Sequence, residues 1–597
     1  MVQSGRRKNG KSLFIVLLSA IIVTVCLWIY FLKSNDISHP VLFDSDCYMR
    51  LIRAQQLYNT GSWLDNTIYR SNVPYGETLH WSRLLDILLL AGAYVGSFFV
   101  PFSTALFWWG VLISPVLLIC SIFALYWAVR ALVDQEAAIW SGLIFFGQII
   151  ALFSYEFGRP DHHSLLLFLF ILMIGFILRV LDTDERRYTY VGGLIAAVAI
   201  WVSMEMLTFV VLVCSTMLIL WIWKDKQFLK ATQDFLLSIS LGTVVFVLME
   251  HSFRKITVIE YDKVSLVHVV LFFALWGTVR FITPQLRQDK SRRFVGAVLG
   301  PMLVLAGLAL VFPDLAKGPY GMVDPLVVTV WLSKIYEAMP IYNNEAAMSM
   351  LLVTLFLILP YILFPFFKLN KVEAHWVFLN LSILFFGGLT FYQCRFIPYA
   401  QVLMVFPLLF VLNFSFAKIK QMQNPLKKSL MRILVIITLT FGPILTTIGL
   451  ISVFGTADNS RTLPAPPQHI LNQFLDQRNE SQTILTGIYF GAQMIYETKH
   501  QVIATPYHRS SGILYLHHVM AAATNEEAHA LLRERKVDLI ILYPDDPKSP
   551  EYHLISEQKN DDIFYNRLVD KRYPIWLRPV ALPENIETGW LVFEVEQ

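Results

Sequence analysis

Four short segments carry side chains that could act on a phosphate or a metal ion. Phe43-Asp44-Ser45-Asp46-Cys47-Tyr48 sets two carboxylates close together. Such a pair repels itself and is most easily stabilised by a divalent cation; an aspartate ahead of a helical pattern serves equally as an N-cap. Gly158-Arg159-Pro160-Asp161-His162-His163-Ser164 offers an oxygen and an imidazole at Asp161 and His163, a spacing that suits one ion on an extended backbone. The alternative is that Asp161 or Ser164 caps the next helix while the histidines face headgroups. Ser333-Lys334-Ile335-Tyr336-Glu337-Ala338-Met339-Pro340 contributes Glu337, a carboxylate for an acceptor or the metal. Arg395, in Tyr392-Gln393-Cys394-Arg395-Phe396, suits a phosphate, or else snorkels at a membrane boundary. Glu205 sits at a span end, where an acid is inexpensive, and is assigned no role. His500, His508, His517 and His518 show no ligand spacing and are expected on the surface or in packing.

The elements that must position these groups are membrane helices. The chain has 597 residues, 56% hydrophobic and 15% charged, against about 45–50% apolar and about 25% charged in soluble domains. Apolar runs recur from Leu13 to Phe454, each long enough to cross a hydrocarbon core of about 30 Å. A soluble globular protein is excluded. Spans are expected at 13–32, 105–130, 137–154, 164–181, 189–205, 207–223, 231–250, 264–283, 294–312, 348–367, 374–392, 397–417 and 432–454. The apolar stretch Leu84 to Phe102 carries Asp86, Gly92 and Gly96 and ends at Pro101. Leaving it out of the span count puts the basic loops, among them Arg186-Arg187, Lys368 with Lys371, and Lys418 to Arg432, on one side. It is therefore expected to be interfacial or re-entrant.

With about thirteen spans the candidate residues share one face. A transmembrane domain, 1–454, carries outer loops 33–104 and 313–347; a soluble α/β domain, 455–597, follows after the linker Pro464 to Pro467. Strands are expected at Thr483 to Leu485, Gln501 to Ala504 and Val537 to Leu542, and a helix at Asn525 to Arg535. The net charge of +4, with basic residues in short clusters, argues against nucleic acid as a partner. The five cysteines form neither a disulfide framework nor a zinc pattern.

In order and spacing these motifs resemble the catalytic subunit of oligosaccharyltransferase, in the C-type membrane glycosyltransferase superfamily, over most of the chain. The resemblance implies thirteen spans with the N-terminus inside and a soluble C-terminal domain. It places the first-loop aspartate on Asp46, because the run to Gly61 matches the family's run to a glycine, with Asp44 as fallback. The second acidic pair falls on Asp161 and His163 after Gly158, with His162 in support. An imidazole there replaces a family carboxylate, which removes a negative charge and shifts preference from magnesium toward manganese or another transition ion. Lys334 to Pro340 looks like the family's Thr-Ile-x-Glu motif, so Glu337 would help bind the acceptor. Arg395 looks like the arginine that contacts the donor's diphosphate. The family's Trp-Trp-Asp-Tyr-Gly signature is missing: this chain reads Thr486-Gly487-Ile488-Tyr489-Phe490-Gly491.

The expected activity is an inverting, metal-dependent transfer of a glycan from a polyprenyl (di)phosphate lipid to a protein or glycan acceptor at the outer membrane face. Asp46 and Glu337 would be catalytic, Asp46, Asp161 and His163 would hold Mn2+ or Mg2+, and Arg395 would bind the donor phosphate. A transferase adding one sugar to a lipid-linked glycan or lipopolysaccharide is the alternative. A transporter or flippase is a third reading, which the absence of visible repeats and mid-membrane charges disfavours. A bacterial inner membrane, with the N-terminus cytoplasmic and the soluble domain periplasmic, is the expected compartment.

Overall fold

The computed structural model describes residues 2–34, 40–183, 185–224, 227–282, 285, 289–367, 373–454, 468–544, 562–586 and 589–596. The linker Pro464 to Pro467 and the basic residues Lys368 and Lys371 lie outside the described residues. The chain is an integral membrane protein. Among the described residues nine helices are long and apolar enough to cross a membrane, beginning with Leu13–Lys33 and ending with Pro425–Leu450. The other four expected spans are helical but shorter or interrupted. Arg186–Val202, Leu266–Gly277 and Ala374–Thr390 are the short ones. The stretch 137–154 is broken into Gln135–Ala138, Ser141–Phe146 and Ile149–Phe153.

The break follows from packing that periodicity does not reveal. At Gly147 the Thr440 backbone carbonyl approaches so closely that a Cβ would collide with it. The turn that begins after Gln148 leaves the Ala151 N–H without an intrahelical partner, and the Gln401 side-chain oxygen accepts it at 2.8 Å. The Leu84–Gly96 helix has 13 residues, about 20 Å at 1.5 Å per residue, too short to span. It packs along Phe102–Val129 and carries the fully buried Asp86.

A proline sets the turn that precedes His162–Asp182. Pro115 lies inside Phe102–Val129 and has no N–H to give to the carbonyl four residues earlier. That carbonyl, of Val111, accepts the N–H of Gly158 at 3.1 Å, and the Gly158 carbonyl accepts the N–H of Phe43 at 2.9 Å. Gly158 has φ +76°, a conformation open to glycine at little cost. One chain of backbone bonds thus stitches both acidic motifs to a membrane helix.

β1 (Thr67–Ile68) and β2 (Glu77–Thr78) pair as a short antiparallel ladder, and in the soluble domain β3 (Thr483–Thr486), β4 (Gln501–Val502), β5 (Leu539–Leu542), β6 (Leu577–Pro579) and β7 (Leu591–Val595) form one sheet, order β4-β3-β5-β7-β6. β3 pairs parallel with β4 and β5, while β7 runs antiparallel to β5 and β6. β3 and β5 are buried throughout, as expected of central strands covered on both faces. The expected strands and the helix at Asn525–Glu534 are present; β6 and β7 are additions. The segment 70–73 covers the β4 edge, with the Val502 N–H donating to the Arg70 carbonyl at 2.9 Å and the Val73 N–H to the Val502 carbonyl at 3.3 Å. Val73, Val327, Val330, Trp331 and Leu332, from two loops of the membrane domain, join the soluble domain's apolar core.

Asp86 anchors the short helix. Its Oδ2 lies 2.8 Å from Arg53 and 3.0 Å from Arg83, all three side chains being almost wholly buried. Asp86→Ala leaves two buried guanidinium groups without this partner and is expected to destabilise the fold by roughly 3–5 kcal/mol. A lowered melting temperature of the detergent-purified protein is the readout.

Candidate functional site

A cavity of about 870 Å³ lies between the membrane helices and the soluble domain. Its lining includes Asp44, Asp46, His162, His163, Glu337 and Arg395, so the structure brings these sequence candidates to one place. Asp161 stands against the same histidines, 3% exposed.

Each side chain is placed by a local device. Asp44 is the N-cap of Ser45–Thr60 and accepts the Cys47 N–H at 3.0 Å, while Gly61 closes that helix at φ +63°. Asp46 lies in the first helical turn. Asp161 caps His162–Asp182, accepting the His162 N–H at 2.6 Å. The backbone is therefore extended at Asp161 but already helical at His162 and His163. Tight clustering arises because the cap carboxylate folds over the first turn: ligand atoms of Asp161, His162 and His163 all lie within 4.8 Å of one another. Ser114 fixes the turn from below, donating to the Arg159 carbonyl and meeting the Ser164 hydroxyl at 2.9 Å.

Glu337 arrives from a short 3-10 turn, Tyr336–Ala338. The Cys394 N–H donates to the Met339 carbonyl at 2.7 Å, which sets the Glu337 and Arg395 segments side by side. Glu337 then lies 3.1 Å from His163 Nε2 and 3.8 Å from Arg395, while His163 Nε2 is 3.6 Å from Asp161. Arg395 Nη1 also donates to the Tyr320 hydroxyl at 3.3 Å.

Charge distribution shows what this pocket wants. Burial, reinforced by Asp44 and Asp161, pushes the Asp46 carboxyl well above the usual carboxylate range, and burial with Asp161 raises Asp44. Asp161 is held well below that range: its burial is outweighed by His162 and His163. Glu337 is likewise held down, the effect of burial being overcome by His163 and then Arg395. Three acids that disfavour one another's ionisation, beside two imidazoles, form a donor set that fits a divalent cation.

Several lining residues carry no sequence signal. Glu205 accepts the Tyr399 hydroxyl at 2.6 Å and faces the cavity. Glu156 does too, burial raising its pKa to about 7. Arg50, behind the cavity wall, stacks on the lining residue Trp81 at 3.7 Å and reaches Asp161 at 4.0 Å. His508, expected on the surface or in packing, lines the cavity with His80, Tyr489 and Tyr507. His500 does serve packing, with its Nε2 2.9 Å from the Leu475 carbonyl.

No protein-family model matches the chain. Three solved structures of the oligosaccharyltransferase of Archaeoglobus fulgidus superpose on it. The archaeal oligosaccharyltransferase AglB, in complex with an inhibitory peptide and a dolichol-phosphate, matches with TM-score 0.64 and 15% identity, over 90% of this chain and 70% of that one. The form tethered with an acceptor peptide containing the NVT sequon matches with TM-score 0.63 and 14% identity, over 89% and 68%. The complex with Zn and sulfate matches with TM-score 0.59 and 15% identity, over 89% and 68%. This chain has the oligosaccharyltransferase fold. A curated relative, dolichyl-phosphooligosaccharide-protein glycotransferase 1 of the same organism, is 28% identical over 138 residues, which span 23% of this chain and 22% of the relative.

Fold and loop docking meet at Glu77 in β2 (Glu77–Thr78), which is 0% exposed. Its Oε2 accepts from Ser71 at 2.6 Å and from Thr505 of the soluble domain. Burial raises its pKa from 4.5 to about 7, against those hydrogen bonds. A folded value above the unfolded one means that stability is fully present below about pH 4.5 and is lost as pH rises to about 7. At 1.36 kcal/mol per unit the loss is about 3 kcal/mol. The melting temperature is expected to fall across that window, and Glu77→Gln is expected to flatten the fall.

Proposed function

We propose that this chain is a membrane glycosyltransferase of oligosaccharyltransferase type, moving a glycan from a polyprenyl (di)phosphate lipid to an acceptor at the outer face. The observation that supports it most is the convergence of Asp46, His163, Glu337 and Arg395 on one cavity roofed by the soluble domain, with Asp161 behind His163. The fold agrees, and the A. fulgidus structures are complexes with a dolichol-phosphate, an acceptor peptide, and Zn and sulfate. A second, nearly wholly apolar cavity of about 620 Å³ suits a polyprenyl chain. Its wall begins at Leu207, two residues beyond Glu205 of the polar cavity.

The reaction breaks the bond between the sugar's anomeric carbon and the phosphate oxygen while a bond to the acceptor atom forms on the opposite face, inverting the centre. Arg395 binds the phosphate and offsets its growing charge. A divalent cation, which Asp46, Asp161 and His163 would hold, supplies further neutralisation of the leaving phosphate when bound; the imidazole favours Mn2+ or another transition ion over Mg2+. Asp46 receives the acceptor's proton, and Glu337 orients the acceptor. The 313–347 loop, whose Trp331 Nε1–H donates to the Tyr489 hydroxyl at 3.2 Å, closes the cavity side. Where the family signature would stand, Tyr489 is the side chain facing the cavity. Without the tryptophans and aspartate the acceptor need not be an asparagine sequon, which keeps transfer of one sugar to a lipid-linked glycan or lipopolysaccharide as the second reading. The soluble domain is assigned to the periplasm of a bacterial inner membrane, with the N-terminus cytoplasmic.

Purified protein given extracted polyprenyl-linked glycans and Mn2+ or Mg2+ is expected to release the polyprenyl (di)phosphate product, followed by mass spectrometry. Asp46→Ala, Asp161→Ala and Glu337→Ala should each reduce release by about 10²-fold or more while the protein stays monodisperse. Full activity in all three would overturn the assignment. A one-sugar mass increase on a lipid, with none on protein, selects the second reading.

A further inference from the structure

A second group of metal-ligating side chains converges from three separate parts of the chain. His80 comes from the first outer loop just after β2, Asp262 from the segment between Gln227–Glu250 and Leu266–Gly277, and His508 from the soluble domain. One ligand atom of each lies within 4.8 Å of the others. His508 Nε2 is 2.8 Å from Asp262 Oδ2, and the His80 and His508 ring centroids are 4.8 Å apart. His80 Nδ1 is buried and has no hydrogen-bond partner. The His508 and Asp262 side chains are 7% and 12% exposed.

The surrounding charges leave room for a cation. Arg509 donates to both oxygens of Asp262 and, at 2.6 Å, to Glu260. His251 stands 3.6 Å from Glu260, with the same Nε2 2.8 Å from the Val264 carbonyl. With the imidazoles neutral, one guanidinium faces two carboxylates and one negative charge remains. A single ion shared by two imidazole nitrogens and the carboxylate Oδ2 satisfies that charge and the unpartnered His80 nitrogen together. Two nitrogens and one oxygen are the donor set of zinc and similar transition ions, with a fourth position left open. Both histidines line the large cavity, so an ion held there would border the space assigned to substrate.

We propose that His80, Asp262 and His508 form a second divalent transition-metal site, separate from Asp161 and His163, that ties the first outer loop and the membrane domain to the soluble domain. It does not depend on the transferase reading, because its test measures metal and not turnover. Full-length protein in detergent is stripped with a chelator, reloaded with zinc and dialysed, and its metal content is read by mass spectrometry. Wild type should hold two ions per chain and Asp161→Asn/His163→Ala one. Adding His80→Gln and His508→Gln should remove the last. Zinc X-ray absorption on Asp161→Asn/His163→Ala, which needs no change at the new site, should show two histidine ligands. No zinc retained in that protein, or a zinc shell without histidine, would overturn the site.

Discussion

The backbone relay from Val111 through Gly158 to Phe43 is the constraint on which the pocket depends. Pro115 frees the Val111 carbonyl by having no N–H, and the two bonds that follow, 3.1 and 2.9 Å, hold the acidic motifs of separate loops against one membrane helix. Each bond adds only about 1 kcal/mol net; their value is positional. Gly158 is the hinge of the relay, since φ +76° strains any other residue and a Cβ there would stand 3.2 Å from the Phe31 ring. The aspartates so gathered repel one another, yet Asp44 and Asp161 each cap a helix N-terminus, where backbone N–H groups and the helix dipole favour negative charge. Capping and ligand readings of these residues are therefore not rivals. Capping fixes the carboxylate that a ligand would meet.

The soluble domain completes the cavity and does not merely hang from it. Ser45, beside the acidic pair, donates to the Tyr489 carbonyl at 2.7 Å, and Arg70 gives its guanidinium to the Thr498 and His500 carbonyls. Val73 and Trp331, from two separate loops of the membrane domain, lie inside the soluble domain's apolar core. Tyr507 and His508 reach the cavity from the segment after β4. Loss of contact between the domains would open the pocket to water and weaken every charge interaction in it.

What could be read from the sequence was what local signals encode. The helices followed from apolar runs, the parallel strands from short aliphatic segments, and Glu337 and Arg395 from their motif and their isolation. The interrupted stretch 137–154 was not legible, because Gly147 breaks it through contact with Thr440, almost three hundred residues away. His80, Asp262 and His508 were equally silent. Each sits alone in an irregular segment, and only the docking of loops onto the sheet edge brings them together. Asp86 was visible as an oddity in an apolar run; its partners Arg53 and Arg83 could be found only once the short helix lay against them.

The charge arrangement also orders the proposed reaction. His163 and Arg395, the groups assigned to the metal and the donor phosphate, both face Glu337. In the proposed reaction an anionic donor and its cation would compete with Glu337 for those partners. With Arg395 engaged by a phosphate and His163 by a cation, as the proposed roles require, Glu337 would lose the contacts that hold its proton affinity low and would become a stronger hydrogen-bond acceptor. An acceptor N–H or O–H then finds a better partner in the loaded site than in the free one. Under the proposed roles this coupling would favour donor binding before acceptor binding.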